Sequence, residues 1–147
     1  MRRASALFAA AALVAVVGCG DGRLDSGELH DRVKGACDKA HKSLEKIPDP
    51  TDDRTTKVFI SQAALATTTL YRELAGLKPP KDAQQGYDFA VGLVRQQANL
   101  LKDASSKLAS GGDEVVVLRN VADQTTQIHS REQTAWEVVG VPSCASR

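Results

Sequence analysis

The sequence predicts an all-α fold, an antiparallel four-helix bundle of up-down-up-down order closed by one disulfide. Three observations predict it. Apolar residues recur at three- and four-residue steps in four long segments, the period of a helix with one buried face. Short connections rich in proline or glycine separate the segments, as between antiparallel neighbours in a bundle. Cys37 lies in the first segment and Cys144 lies after the last one.

The first helix is predicted over residues 26–46. Asp25 and Glu28 have the spacing of a capping box, with Asp in place of the usual Ser or Thr. Pro48 and Pro50 stop the helix, since proline cannot continue it. Its inner face is expected to carry Leu29, Val33, Cys37, Ala40, Leu44 and Ile47.

The second helix is predicted to begin near Asp52 or Asp53. Gly76 is placed for a left-handed cap, and the prolines that follow, Pro79 and Pro80, prevent continuation. The expected inner face comprises Phe59, Ala63, Ala66, Leu70, Leu74 and Leu77.

The third helix is predicted to begin near residues 81–82, and Gly111 and Gly112 break it. Asp113 is expected to cap the fourth helix, which ends at Gly140. A glycine followed closely by a proline ends this helix, as it does the second helix. The expected inner face of the third helix is Tyr87, Val91, Val94, Ala98, Leu101 and Leu108, and that of the fourth is Val117, Val121, Thr125, Ile128, Ala135 and Val139.

Residues 1–18 are predicted to be a signal peptide. Arg2 and Arg3 precede a run over residues 4–17 in which all but one residue is apolar. That length suits the apolar region of a signal peptide and is too short to span a bilayer as a helix. The arginine pair lacks the rest of a twin-arginine pattern, so general export is the predicted route.

Val16-Val17-Gly18-Cys19 resembles the bacterial lipobox, in which an aliphatic residue, a small residue and Gly or Ala precede an obligatory cysteine. The resemblance implies that the Cys19 thiol carries diacylglycerol and becomes the mature N-terminus. An ordinary secretory signal with a chance cysteine is the alternative. Two acyl chains suffice for stable anchoring, and a short tether over residues 19–25 would hold the domain near the bilayer. We therefore expect a lipid-anchored protein on the extracytoplasmic face of the cell membrane.

Cys37 and Cys144 remain as an even pair in an oxidising compartment, which favours a disulfide over two free thiols. Cys37 lies about 16 Å into the first helix, whereas the fourth helix should end beside its start. The chain must therefore turn over residues 140–142 and run back along the bundle, unless the fourth helix is staggered. Because Cys37 belongs to an apolar stripe, the bridge should be mostly buried.

Composition argues against several function classes. The formal net charge is +1 with acidic and basic residues interspersed, which argues against a nucleic-acid partner. The Ser-x-x-Lys pattern at Ser43 ends beside a helix terminus, and the carboxylate pairs at 52–53 and 113–114 sit at helix starts, where the dipole explains them. No catalytic residue stands out, and we expect that the protein is not an enzyme.

No metal or cofactor is expected either. His30 and His41 are eleven residues apart, about 16 Å along one helix, so they cannot share an ion. His129 and Glu132 have the spacing of a di-iron motif in reversed order, without a second motif, which favours a surface histidine. Covalent haem would need Cys-x-x-Cys-His, which is missing, and the only methionine, Met1, lies in the predicted signal peptide, so no Met remains for an axial site. A bis-His arrangement is the remaining alternative, and nothing in the sequence supports it.

Uncharged polar clusters at residues 67–69, 96–97 and 124–127 lie near the apolar stripes. They are expected to be exposed flank residues. The alternative is a polar-lined pocket between helices for a small ligand.

The whole chain resembles the short, alanine-rich, all-helical lipoproteins of actinomycetes. The matching features are the lipobox at 16–19, Cys37 early in the first helix, Leu77-Lys78-Pro79-Pro80 and Pro142-Ser143-Cys144. The resemblance implies a location and a fold, and it carries no catalytic residues. The expected function is a non-catalytic interaction or accessory role in the envelope, with a membrane contact through Cys19 and an envelope protein as partner. A small-ligand-binding bundle is the alternative.

Overall fold

The computed structural model describes residues 22–145, and it confirms the all-α class. The helices are α1 (Ser26–Leu44), α2 (Asp53–Ala75), α3 (Gln84–Ala109) and α4 (Glu114–Val139), followed by a 3-10 turn at Pro142–Cys144. No β-strand occurs within the described residues. The predicted signal peptide and Cys19 lie outside them.

Acidic side chains begin three of the four helices, as expected. Asp25 accepts a hydrogen bond from the backbone N–H of Glu28 (2.8 Å), and its own N–H reaches the Glu28 carboxylate (3.5 Å), which completes the predicted capping box. Asp52 and Asp113 cap α2 and α4 in the same way. These bonds satisfy N–H groups that have no partner inside the helix.

Helix α3 begins two to three residues later than predicted, at Gln84. Its first flanking residue, Ala83, makes no side-chain cap. The N–H of Ala83 instead donates to the carbonyl of Pro80 (3.2 Å), so the residues after the proline pair form a turn. Helix α1 is shorter than predicted and ends at Leu44.

The left-handed cap predicted at Gly76 is wrong. Gly76 has φ −80° and ψ −12°, a right-handed conformation. The next N–H, that of Leu77, closes a tight turn onto the carbonyl of Leu74 (3.0 Å), which continues the right-handed path beyond the helix. The matching cap at Gly140 is left-handed, with φ +84°, as its position before Val141 and Pro142 predicts.

The core divides into two clusters, one at each end of the bundle. One cluster lies at the end of the bundle where the starts of α1 and α3 meet the ends of α2 and α4, which we call the proximal end. The other, the distal end, joins the start of α2 and of α4 to the end of α3 and the chain after α1. This pairing of ends is what helices running alternately up and down require. The largest fully buried side chains of the proximal cluster are Trp136, Tyr87, Leu74 and Ile128, and the distal cluster includes Ile47, Ile60, Leu108 and Val117.

The C-terminal turn bridges α4 and α1. Most packing contacts join helices that are consecutive in the chain, and the 3-10 turn contacts both α1 and α4. Cys37 and Cys144 form the predicted disulfide, with Cα atoms 5.2 Å apart, well within the reach of such a bond. Cys37 is buried and Cys144 is half-buried. The chain reverses at Gly140, as predicted, with the N–H of Val141 bonded to the carbonyl of Trp136 (2.8 Å).

Candidate functional site

Three of the buried polar side chains among the described residues line one cavity between the helices. Thr67 on α2, Gln97 on α3 and Glu132 on α4 are only 6%, 7% and 4% exposed. Together with His41 and Cys144 they line a central cavity of about 40 Å³. Such a volume holds about three water molecules at most, whereas drug-sized ligands occupy sites of roughly 300–1,000 Å³. The cavity suits buried water or a side-chain network better than an organic ligand.

The polar clusters therefore divide between the interior and the surface. The expectation of exposed flanks is wrong for Thr67 and Gln97, which are buried, and right for Thr69, Gln96 and Gln127, which are exposed. Adjacent residues of a helix point about 100° apart, so the members of one cluster cannot share one environment.

Glu132 is a buried acidic residue that the sequence analysis did not place on the inner face of the fourth helix. The spacing of Ile128 and Ala135 on the inner face of α4 places Glu132 between them, four residues after one and three before the other. The register of the stripe was the available signal. The expected surface position of His129 also needs correction, because this residue is half-buried and its Nδ1 atom is buried without a hydrogen-bond partner.

Metal-ligating side chains do not gather in the described part of the chain. No group of three or more His, Cys, Asp or Glu side chains there could hold an ion. The central cavity offers His41 and Glu132, which is fewer than the three or four protein ligands of a typical zinc site.

Open clefts lie between consecutive helices on the sides of the described bundle, among them one of about 300 Å³ between α2 and α3 that includes Val58. The cleft between α1 and α2 has a volume of about 300 Å³ and contains the Lys39–Glu73 ion pair. Its lining mixes alanine, leucine and isoleucine side chains with the polar Ser43, Gln62 and Thr69. The cleft between α3 and α4 has a volume of about 350 Å³. Both volumes reach the lower bound of small-molecule sites, and both clefts carry an exposed apolar residue, Leu65 in the first and Val116 in the second.

The α3–α4 cleft combines an apolar floor with amide side chains. Leu100, Val117 and Val121 form the floor. The Nε2 atom of Gln124 donates to the Oδ1 atom of Asn120 (2.7 Å) along α4. Amide groups both donate and accept hydrogen bonds, so this lining matches the needs of a polypeptide backbone. The amide residues of the cleft are Gln96, Asn99, Asn120 and Gln124.

Tyr87 on α3 contacts both α2 and α4 at the proximal end. Its hydroxyl donates to the carbonyl of Leu74 at the end of α2 (2.7 Å), and its ring meets the Trp136 ring edge-on with centroids 6.3 Å apart. Burial raises the pKa of Tyr87 above its ordinary value, with a smaller contribution from the charge of Asp88. The buried hydroxyl therefore stays protonated at physiological pH and keeps donating its hydrogen bond to Leu74.

Comparisons with protein-family models, with curated proteins and with solved structures found no match to this chain. Among the described residues, none of the helices combines the length and the apolar character that crossing a bilayer demands.

Proposed function

We propose that the protein is an extracytoplasmic lipoprotein, anchored through diacylglycerol on Cys19, with a non-catalytic interaction role in the cell envelope. The observation that carries the proposal is the position of the lipobox relative to the bundle. Cys19 precedes the first described residue, Gly22, by three positions, and α1 is capped at Asp25. Cleavage before Cys19 would leave every helix of the bundle intact and place the acyl chains directly beside it.

The lateral clefts support the interaction role. They are open, 300–350 Å³ in volume, and built between helices whose positions are held by the core and the disulfide. A preorganised groove binds a partner segment without the entropic cost of ordering itself. The partner class we propose is an envelope protein that places a segment in the α3–α4 cleft.

A small-ligand-binding role is the second candidate. The mixed apolar and amide lining of the α3–α4 cleft favours it, because small-molecule sites combine an apolar surface with a few polar groups. The small volume of the central cavity weighs against a ligand buried between all four helices.

Substitution of Cys19 by serine tests the anchor. The wild-type protein should fractionate with membranes and carry diacylglycerol on Cys19. Cys19→Ser should abolish membrane retention and leave a precursor that is unprocessed or released, because a hydroxyl cannot form the thioether. Cell fractionation and intact-protein mass spectrometry measure both. The matched control is Cys144→Ser, which also removes one cysteine and should stay in the membrane fraction. Normal processing and retention of Cys19→Ser would refute the anchor.

A pair of neighbouring valines tests the interaction role. Val116 lines the α3–α4 cleft and Val115 does not, although both are exposed in the first turn of α4. A carboxylate near a helix N-terminus is favourable, so Val116→Asp and Val115→Asp should both fold. We expect that Val116→Asp loses at least about tenfold in affinity for a protein that co-purifies from membranes, which corresponds to about 1.4 kcal/mol. Val115→Asp should bind as wild type does. Equal binding by both variants would remove this cleft from the proposal.

A further inference from the structure

We propose that the bundle stands end-on at the membrane, with the connection between α2 and α3 facing anionic phospholipid headgroups, and that Arg23 fixes this orientation. The inference rests on the proposed lipid anchor at Cys19 and extends it, since an anchor alone leaves the orientation of the domain undetermined.

The chain before α1 is fastened to the α2–α3 connection by hydrogen bonds. The N–H of Leu24 donates to the carbonyl of Lys78 (2.8 Å). The Nη1 atom of Arg23 donates to the carbonyl of Pro79 (2.8 Å) and to the Oε1 atom of Gln84 (2.7 Å). The Leu24 side chain also packs on the proximal core. The segment is therefore part of the folded bundle rather than a free linker.

This attachment limits how far the lipid can lie from the proximal end. Cys19 and Gly22 are three positions apart in the sequence, a span of at most about 11 Å. Gly22 itself adjoins Lys78, whose Nζ atom is 3.7 Å from the point where a Gly22 Cβ would stand. Helix α2, with 23 residues, is about 35 Å long. The acyl chains thus enter the bilayer beside the proximal end, far from the distal connections.

Two exposed basic side chains flank the connection. Lys78 and Lys81 lie on either side of its two prolines. Carboxylates lie at the same end and keep their negative charge, that of Asp25 accepting from the N–H of Glu28 and that of Asp82 from the N–H of Ala83 (3.1 Å). The attraction to headgroups therefore depends on the reach of the two long lysine side chains and not on a net positive charge. Basic side chains close to a membrane are attracted to anionic headgroups, so lipid phosphates are the groups that these lysines should meet.

Position-dependent fluorescence quenching tests the orientation. The full chain is purified from membranes and reconstituted in vesicles of phosphatidylcholine and phosphatidylglycerol that carry a headgroup-linked nitroxide. A fluorophore is attached at one introduced thiol, in Gln85→Cys at the proximal end or in Thr51→Cys at the distal end, both exposed positions. We expect strong quenching of the proximal probe and little quenching of the distal one. Intact mass of the same samples reports whether Cys19 is acylated.

Substitutions of the residues at the α2–α3 connection test what sets the orientation of the bundle. Arg23→Ala removes both Arg23 hydrogen bonds to the connection and leaves the Leu24 contacts in place, so the difference between the two probes should shrink while membrane association persists. Arg32→Ala, an exposed arginine on α1, is the matched control and should keep the difference. Lys78→Gln with Lys81→Gln should reduce the proximal quenching on anionic vesicles.

The outcomes separate this inference from the proposed anchor. Equal quenching of both probes in an acylated wild-type protein would overturn the end-on orientation and leave the lipoprotein proposal intact. A wild-type protein without acyl groups on Cys19 would overturn both. A quenching difference between the two probes that is as large in Arg23→Ala as in the wild type would remove Arg23 as the residue that fixes the orientation.

Discussion

Replacing Cys37 and Cys144 together by alanine is expected to lower the free energy of unfolding by about 4–5 kcal/mol. The bridge joins residues 107 positions apart, so it restricts nearly the whole bundle in the unfolded chain. It also holds the C-terminal turn between α4 and α1, the two helices at opposite ends of the chain. For a domain of this size such a loss corresponds to a fall in Tm of roughly 10–20 °C.

Thermal unfolding followed by far-UV circular dichroism measures this effect. Reductant should lower the Tm of the wild-type protein toward that of the double variant and leave the double variant unchanged. A double variant that melts with the oxidised wild type would show that the bridge contributes no net stability.

Trp136→Ala is expected to lower the free energy of unfolding by about 3–5 kcal/mol. Trp136 is completely buried at the proximal end, and its ring makes an edge-on contact with Tyr87. Removing the indole loses its transfer free energy and leaves a cavity that helices held by the disulfide cannot readily close. Aromatic pairs of this geometry add about 0.5–1.5 kcal/mol beyond buried area.

Urea unfolding followed by circular dichroism is the suitable measurement, because Trp136 is the only tryptophan and its fluorescence is lost in the variant. The control is Val138→Ala, two residues away and 73% exposed, which should change stability by less than about 0.5 kcal/mol. Similar losses in the two variants would contradict a core role for Trp136.

The proposed orientation has a consequence for partner access. With the proximal end at the bilayer, both lateral clefts would face along the membrane surface, since each runs between neighbouring helices. A partner would then approach from the side, as a second envelope protein in the same membrane does. Loss of the Arg23 contacts should therefore weaken the binding of such a partner more than the binding of one that arrives from solution.

Local signals in the sequence predicted most of the helix bounds. The capping box at Asp25 and the cap at Asp113 work within one turn of chain, so residue type and spacing suffice to identify them. Gly140 was correctly placed and Gly76 was not. The difference arises because a glycine permits the left-handed conformation without requiring it, and the turn onto Leu74 decided the outcome.

Tertiary packing decided which polar residues enter the core. Gln96 and Gln97 are neighbours of the same type, yet one is exposed and the other lines the central cavity. Glu132 is likewise buried on a helix whose sequence placed a charge in the apolar stripe.

By itself the sequence determined the four helices, most of their ends and the cysteine pair, because caps, stops and periodicity act over a few residues. Only the tertiary structure decided which residues at the edge of each apolar stripe enter the core, since adjacent residues of a helix point about 100° apart. That choice depends on how large side chains such as Tyr87 and Trp136 fill the space between helices. The buried polar centre and the lateral clefts follow from it.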